Sequence, residues 1–293
     1  MIPSLPNISL FFITNQPDIA IFAAGHGVTH IFVDLEFIGK FERQGHRDTL
    51  ISKHSVDDIR NIRTALDQDG GINEHKAELL VRINPWHDQS GVEIDAAIAS
   101  GADWIMLPMY HSVQEVERYC AHVAGRARCI PLVETVGAVE CLEAVAALPG
   151  VDMLFIGLND LHMEMKRDFM FELLADGTVE NMANIIKKAG KPFGFGGIAR
   201  IGEGLVVAEQ VLGEHLRLGS SAVILSRTFH RHSQSIHDLQ DNIDFGHEVE
   251  RLRAMESAMH SWTPERFLEN RQGLAQATAN IVAELRARRE KNL

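Results

Sequence analysis

The sequence is short of cysteine, of positive charge and of long apolar runs, and each shortage removes a class of protein. Its three cysteines, Cys120, Cys129 and Cys141, are odd in number and include no CxxC pair. That argues against a disulfide framework or a zinc knuckle and fits a reducing compartment. Lys and Arg number 28 against 40 Asp and Glu, a formal net charge of -12. Nucleic acid and anionic membrane surfaces need basic patches that displace counterions, so neither is expected as a partner. No run reaches the ~20 apolar residues that span a bilayer. The opening MIPSLPNISLFFITNQ carries no basic segment ahead of its apolar stretch, and a cytoplasmic location is expected. Also missing are a GxGxxG after the first apolar run and an HExxH among the 15 histidines. Their absence counts against a dinucleotide fold and a zinc hydrolase.

What is present, in 293 residues of which 45% are hydrophobic, is an alternation. Short β-branched runs recur at 8–14, 30–36, 78–84, 103–109, 129–135, 152–158, 192–197 and 221–226. Amphipathic stretches follow at 17–26, 55–68, 91–100, 112–125, 137–147, 168–189 and 202–213. Continuous apolar strands separated by helices predict an α/β fold with a parallel sheet, and eight such units predict a (β/α)8 TIM barrel over residues 1–230. Gly101 and Gly150 stand where helices must stop, a place where glycine relieves the left-handed cap. Residues 231–293 read as a helical C-terminal extension, with Thr263, Pro264 and Glu265 opening a helix. Residues 37–53 form a long polar loop after strand two, on the face where loops carry function.

Catalytic groups of such barrels project from the carboxyl ends of strands. Those ends carry Asp34 and Glu36, Arg82 and Asn84, Glu134 and Thr135, and Asn159 and Asp160. Residues two apart share a face, so an acidic ring with one arginine is expected at the mouth. Crowded carboxylates need a cation, and oxygen ligands suit Mg2+ or Mn2+ better than zinc. Glu134 and Asp160 are the expected metal ligands. Arg82 is the expected catalytic partner of a substrate carboxylate or an enolate, because its planar fork holds an anion in fixed geometry. Gly196 and Gly197 with Arg200, and Ser226 with Arg227, sit where barrels bind anionic tails. His111 and His162 are the candidate acid/base groups near the mouth. The remaining histidines, including the HRH run at 230–232, read as surface residues.

VDLE at 33–36, VRIN at 81–84, GADWIMLPM at 101–109, PLVET at 131–135 and LFIGLNDL at 154–161 together resemble the HpcH/HpaI aldolase and citrate lyase family. The resemblance implies a modified barrel, a divalent metal (Mg2+, with Mn2+ or Co2+ as variants) on Glu134 and Asp160, and Arg82 against an enolate. It implies backbone amides near Leu158 and Asn159 for the substrate carboxylate. It also implies homo-oligomers (dimer, trimer or hexamer) that exchange carboxyl-terminal helices between subunits. The family's pyruvate aldolases show D-x-E-H after strand two, with the histidine assisting the base, and here Phe37 follows Glu36. Its CoA-ester lyases show an acidic residue there followed by a lysine and an arginine, which Lys40 and Arg43 partly match.

The expected activity is a metal-dependent aldolase or lyase acting through a pyruvate-type enolate, with a small 2-keto acid as partner. Asp34, Glu36, Lys40, Leu158 and Asn159 are expected to contact substrate. Lys40, Arg43, His46, Arg47 and His54 are available near the mouth for an anionic aldehyde or for the missing base. A CoA-ester lyase related to citrate lyase and a non-catalytic barrel acting as a binding subunit are the alternatives.

Overall fold

The computed structural model describes residues 7–40, 54–68, 77–230, 233 and 235–291. Arg43, His46 and Arg47 of the expected mouth loop lie outside the described residues. Eight parallel strands close into a barrel in chain order. They are β1 Ser9–Ile13, β2 His30–Asp34, β3 Glu78–Arg82, β4 Trp104–Leu107, β5 Arg128–Val133, β6 Leu154–Ile156, β7 Phe193–Ile198 and β8 Ala222–Leu225. Ser9 of β1 pairs in register with Ala222 of β8, which seals the ring. The helices between them are α1 Pro17–Gly25, α2 Val56–Gln68, α3 Ser90–Ala99, α4 Val113–Val123, α5 Val136–Glu140 and α6 Leu142–Ala146. They continue with α7 Leu158–Glu164, α8 Glu172–Ala175, α9 Thr178–Lys188, α10 Ala208–Leu218, α11 Ile236–Asn242, α12 Phe245–Met259 and α13 Pro264–Lys291.

The two-residue period of a strand sorts its side chains into three inner layers. Phe11, Phe32, Leu80, Ile130 and Phe155 fill the middle, and burying each of the aromatic or aliphatic side chains contributes roughly 1.5–3 kcal/mol. One period toward the amino ends of the strands stand His30, Glu78, Trp104 and Arg128. One period toward the carboxyl ends stand Asp34, Arg82 and, after Leu132, Glu134. Alternate strand residues such as Ile31, Val33, Leu79, Val81 and Ile105 face outward into the larger core beneath the helices.

Three expected helices are redrawn. The stretch 168–189 divides into α8 and α9 because Gly177 takes φ 85° at the start of α9. The one placed at 202–213 runs instead from Ala208 to Leu218, since Gly202 (φ 84°) and Gly204 (φ 102°) hold a turn and Gly219 (φ 78°) is the C-cap. Gly213, inside that helix, is a packing glycine: a Cβ there would lie 2.5 Å from Asn270 Nδ2 of α13. The stretch 137–147 is two short helices meeting at Cys141. Gly101 does take a left-handed φ of 104°. Gly150 does not, and its missing Cβ instead makes room for Cys120, 2.9 Å from where a Cβ would sit.

The C-terminal extension is helical, and its last helix, α13, docks on α10 and α8. Leu274, Thr278 and Val282 are its buried residues, Asn270 Nδ2 donates to Gln210 O at 3.0 Å, and Arg286 and Arg289 both bind Asp168. Thr263 opens the helix as expected, its Oγ1 accepting from Arg266 N at 3.4 Å. Among the described residues, no helix is long and apolar enough to cross a membrane.

Candidate active site

Register places Asp34 of β2 beside Arg82 of β3. Arg82 Nε and Nη2 donate to Asp34 Oδ1 and Oδ2, both at 2.8 Å, a bidentate fork that fixes the guanidinium plane. Lys40 Nζ donates to Asp34 Oδ2 at 2.5 Å and stands 3.5 Å from Glu36 Oε2. Glu36 Oε2 is in turn 3.4 Å from Arg82 Nε. Burial pushes the Asp34 carboxyl up, but Arg82 and Lys40 outweigh it and hold the group well below the usual carboxylate range. Burial likewise opposes the Arg82 charge, and Asp34, Glu36 and Glu134 overcome it. Asp34, Glu36 and Lys40, expected as substrate contacts, are therefore engaged with one another and with Arg82. The Asp34 N–H donates to His54 Nδ1 at 3.0 Å, which leaves the His54 proton on Nε2. Burial lowers the imidazole pKa further against the pull of Asp34 and Asp58.

Across the mouth the balance is reversed. Glu134 follows β5, and its carboxyl is pushed well above the ordinary range by burial and by the charges of Asp160 and Glu36, with Arg82 and the Met109 N–H pulling the other way. Met109 holds φ 52°, uncommon for a residue with a Cβ, and donates its N–H to Glu134 Oε1 at 3.1 Å. Gly157 gives the other oxygen room, since a Cβ there would lie 2.7 Å from Oε2. Asp160 stands in the first turn of α7, behind Leu158 and Asn159, whose amides precede the first N–H that a helix satisfies internally.

Asp34, Arg82, Glu134, Leu158, Asn159 and Asp160 line one cavity of 380 Å³ at the carboxyl ends of the strands. A larger one of 530 Å³ lies between α8 and α13, away from the strand ends, so size alone does not choose the site. The smaller cavity is also lined by Arg227 and His230. His230 is the residue that sequence reasoning missed. It belongs to the HRH run taken as surface, yet it follows the end of β8 by five residues on the loop face, and that position was the available signal.

The other expected groups lie elsewhere. His111 is exposed, its N–H donating to Glu115 Oε2 at 2.6 Å beside the capping box of α4. His162 is buried with Nδ1 3.1 Å from Leu158 O. Neither lines the cavity. Arg200 is paired with Glu203 and Glu248 rather than held for an anion. Asn84 turns to the loop after β2, its Oδ1 accepting from Phe37 and Ile38 at 2.9 and 3.0 Å, and Thr135 caps α5. Phe37, where the histidine was expected, is 67% exposed. Of the basic pair that suggested a CoA ester, Lys40 is buried and tied to Asp34, and Arg43 lies outside the described residues.

The model of the HpcH/HpaI aldolase/citrate lyase family matches residues 47–199, more than half of the chain. The chain belongs to that family. Solved structures similar to it include an HpcH/HpaI aldolase/citrate lyase family protein from Burkholderia cenocepacia (TM-score 0.59, 14% identity, 87% of this chain and 95% of that one). An HpcH/HpaI aldolase from Desulfitobacterium hafniense gives TM-score 0.55 at 16% identity, covering 75% and 86%. At that identity the likeness speaks for the barrel alone. A 4-hydroxy-4-methyl-2-oxoglutarate aldolase from Chaetomium globosum is 34% identical over 76 residues, 26% of this chain. The chain spans 28% of that relative's length. Of the HpcH/HpaI motif residues read from the strand ends, Asp34, Arg82, Glu134 and Asp160 line the cavity, and Glu36 stands against Arg82 and Lys40.

Proposed function

We propose that the chain is a divalent-metal-dependent carbon–carbon lyase that splits a 4-hydroxy-2-keto acid into pyruvate and a carbonyl compound, or joins the two. The observation that carries this reading is the meeting of two buried carboxylates, Glu134 and Asp160, with a guanidinium locked by Asp34 around one cavity at the strand ends. The family and the name of the Chaetomium globosum relative, whose substrate is a 4-hydroxy-2-keto acid, support the same class.

The residues fit a hard cation. Like charge crowds Glu134, which lines the cavity with Asp160, Gly157 leaves room for its Oε2, and the donors are oxygens of the kind Mg2+ and Mn2+ prefer. Among the described residues, no group of three or more His, Cys, Asp and Glu side chains is assembled for a metal. Two protein ligands leave positions for water and substrate, the usual habit of magnesium. Glu134 and Asp160 would hold the ion, which when bound supplies Lewis-acid stabilisation of the charge that develops on the keto oxygen.

The chain's own groups do the rest. Arg82 holds the anionic end of the substrate, and the fork to Asp34 keeps it from following the ligand. His230, which lines the cavity, takes the proton from the C4 hydroxyl, a task that an imidazole suits near neutrality. The C3–C4 bond then breaks: C4 becomes a carbonyl, the electron pair enters the C2–C3 enolate, and His230 returns its proton to C3 to give pyruvate. Phe37 is no obstacle, because this base enters from the β8 side.

The test is deuterium exchange at the pyruvate methyl group together with Mn2+ titration by calorimetry. Wild type should bind one Mn2+ per chain and exchange the methyl protons. Glu134→Gln and Asp160→Asn should lose both. Binding and exchange at wild-type level in both variants would sink the reading.

A further inference from the structure

A second cavity of 190 Å³ opens beside the first. Its walls are two segments that the barrel does not require. One is the loop between α7 and α8, from which Phe169 and Phe171 meet edge to face at 5.4 Å and 83°. The other is the turn before α10, which supplies Ala199, Leu205 and Val206. Met170, Gly197 and Ser226 line both cavities, so the two are neighbours sharing one wall.

We infer that this side cavity is the acceptor subsite and that the departing carbonyl fragment carries an aryl or branched-alkyl group. The inference rests on the proposed lyase chemistry and adds the substrate class. Among the described residues, no charged side chain lines the cavity, and the two hydroxyls that do are already engaged. Ser226 Oγ lies 3.0 Å from Thr228 Oγ1, and Thr228 Oγ1 accepts from Arg200 N at 3.0 Å. A polar fragment would lose its water here with nothing in return, whereas an apolar one is favoured by the area it buries. An apolar cavity of about 150 Å³ is enough to hold benzene, so 190 Å³ suits a six-carbon ring or a branched chain. Leu205, 75% exposed at the rim, is apolar surface such a group would cover.

The walls are held firmly enough to select. Glu172 Oε2 accepts from the N–H groups of Asp168 and Phe169 at 2.7 and 2.9 Å, and Asp168 is clasped by Arg286 and Arg289 of α13. Gly202 and Gly204 shape the opposite turn. Gly197 stands between the cavities, and a Cβ there would meet only Ile224 O, at 3.4 Å.

Ala199→Leu should fill the cavity and Gly197→Ala should narrow its entrance. Two readouts test the idea. The first is the ratio of kcat/KM for adding pyruvate to benzaldehyde over acetaldehyde. Wild type should favour benzaldehyde, and Ala199→Leu should lower the ratio by about 10-fold or more, the scale on which apolar pockets discriminate. The second is the 13C-methyl signal of Met170, assigned with Met170→Leu, which should shift on titration with benzaldehyde in wild type and stay still in Ala199→Leu. A wild-type enzyme that exchanges pyruvate methyl protons but shows neither the preference nor the shift overturns the subsite alone. If methyl exchange itself is absent, the lyase reading fails, and the Met170 signal still decides whether the cavity takes an apolar ring.

Discussion

The two ends of the barrel hold the same kinds of side chain in opposite electrostatic states. At the amino ends of the strands Glu78 accepts from Trp104 Nε1 at 2.8 Å, stands 3.3 Å from His30 Nε2 and pairs with Arg128. These partners, His30 first, draw its pKa down to about 2. At the carboxyl ends Glu134 has one backbone donor, and burial with the charges of Asp160 and Glu36 outweighs Arg82 and pushes its pKa up. A glutamate surrounded by donors is a plug. One crowded by acids and facing a cavity is the arrangement on which the proposed cation site rests, since like-charge crowding marks functional sites more often than structural ones.

The sharpest way to break this comparison is to remove each charge in turn. Glu134→Gln should lower pyruvate methyl exchange by ~10³-fold, while Glu78→Gln, at the far end, leaves it within about twofold. Equal losses would show that the ends are not functionally distinct. Next in size, Arg82→Ala leaves buried Asp34 and Glu36 with Lys40 as the cation still beside them and should cost about 3 kcal/mol in urea unfolding. Arg82→Lys, which keeps the charge but not the fork, should recover part of that stability and little of the exchange. His230→Gln should slow exchange by ~10²-fold with Mn2+ affinity retained. A variant that loses the metal as well would remove His230 from the proton-transfer role.

The amino end makes the smaller predictions. Because the folded pKa of Glu78 is depressed, its contribution is fully present above about pH 4.5 and fades as pH falls toward about 2. The unfolding free energies of wild type and Glu78→Gln should therefore differ above pH 5 and converge near pH 2. With a side chain one-third exposed, the difference should stay below about 1 kcal/mol. A gap that widens in acid would reverse the sign of the argument. Smallest of all, Phe37→His should change methyl exchange by less than about twofold, since that side chain projects into solvent. A tenfold gain would move the base to the β2 loop.

Much of this was legible in sequence because it depends on short-range periodicities. Alternating apolar runs such as DMLFIGL and CIPLVET announced strands, and the two-residue period that buries Phe32 also aims Asp34 at the mouth. Thr263-Pro264-Glu265 marked a helix start by local capping chemistry. Gly150 misled for the complementary reason: it looked like a helix stop, and it is small because Cys120, from elsewhere in the chain, comes close.

The sequence by itself determined the barrel, the acids and arginine at its strand ends, and the family, since each is written in residue type and spacing. Only the tertiary structure decided which charges cancel. Lys40 and Asp34 are six residues apart and Arg82 is 48 beyond Asp34, yet they neutralise one another, while burial and the charges of Asp160 and Glu36 push the Glu134 pKa up. It also brought His230 to the cavity, kept His111 and His162 from it, and folded the last helix back to brace the loop that walls the side cavity. Those outcomes rest on distances between residues far apart in the chain, which no local pattern encodes.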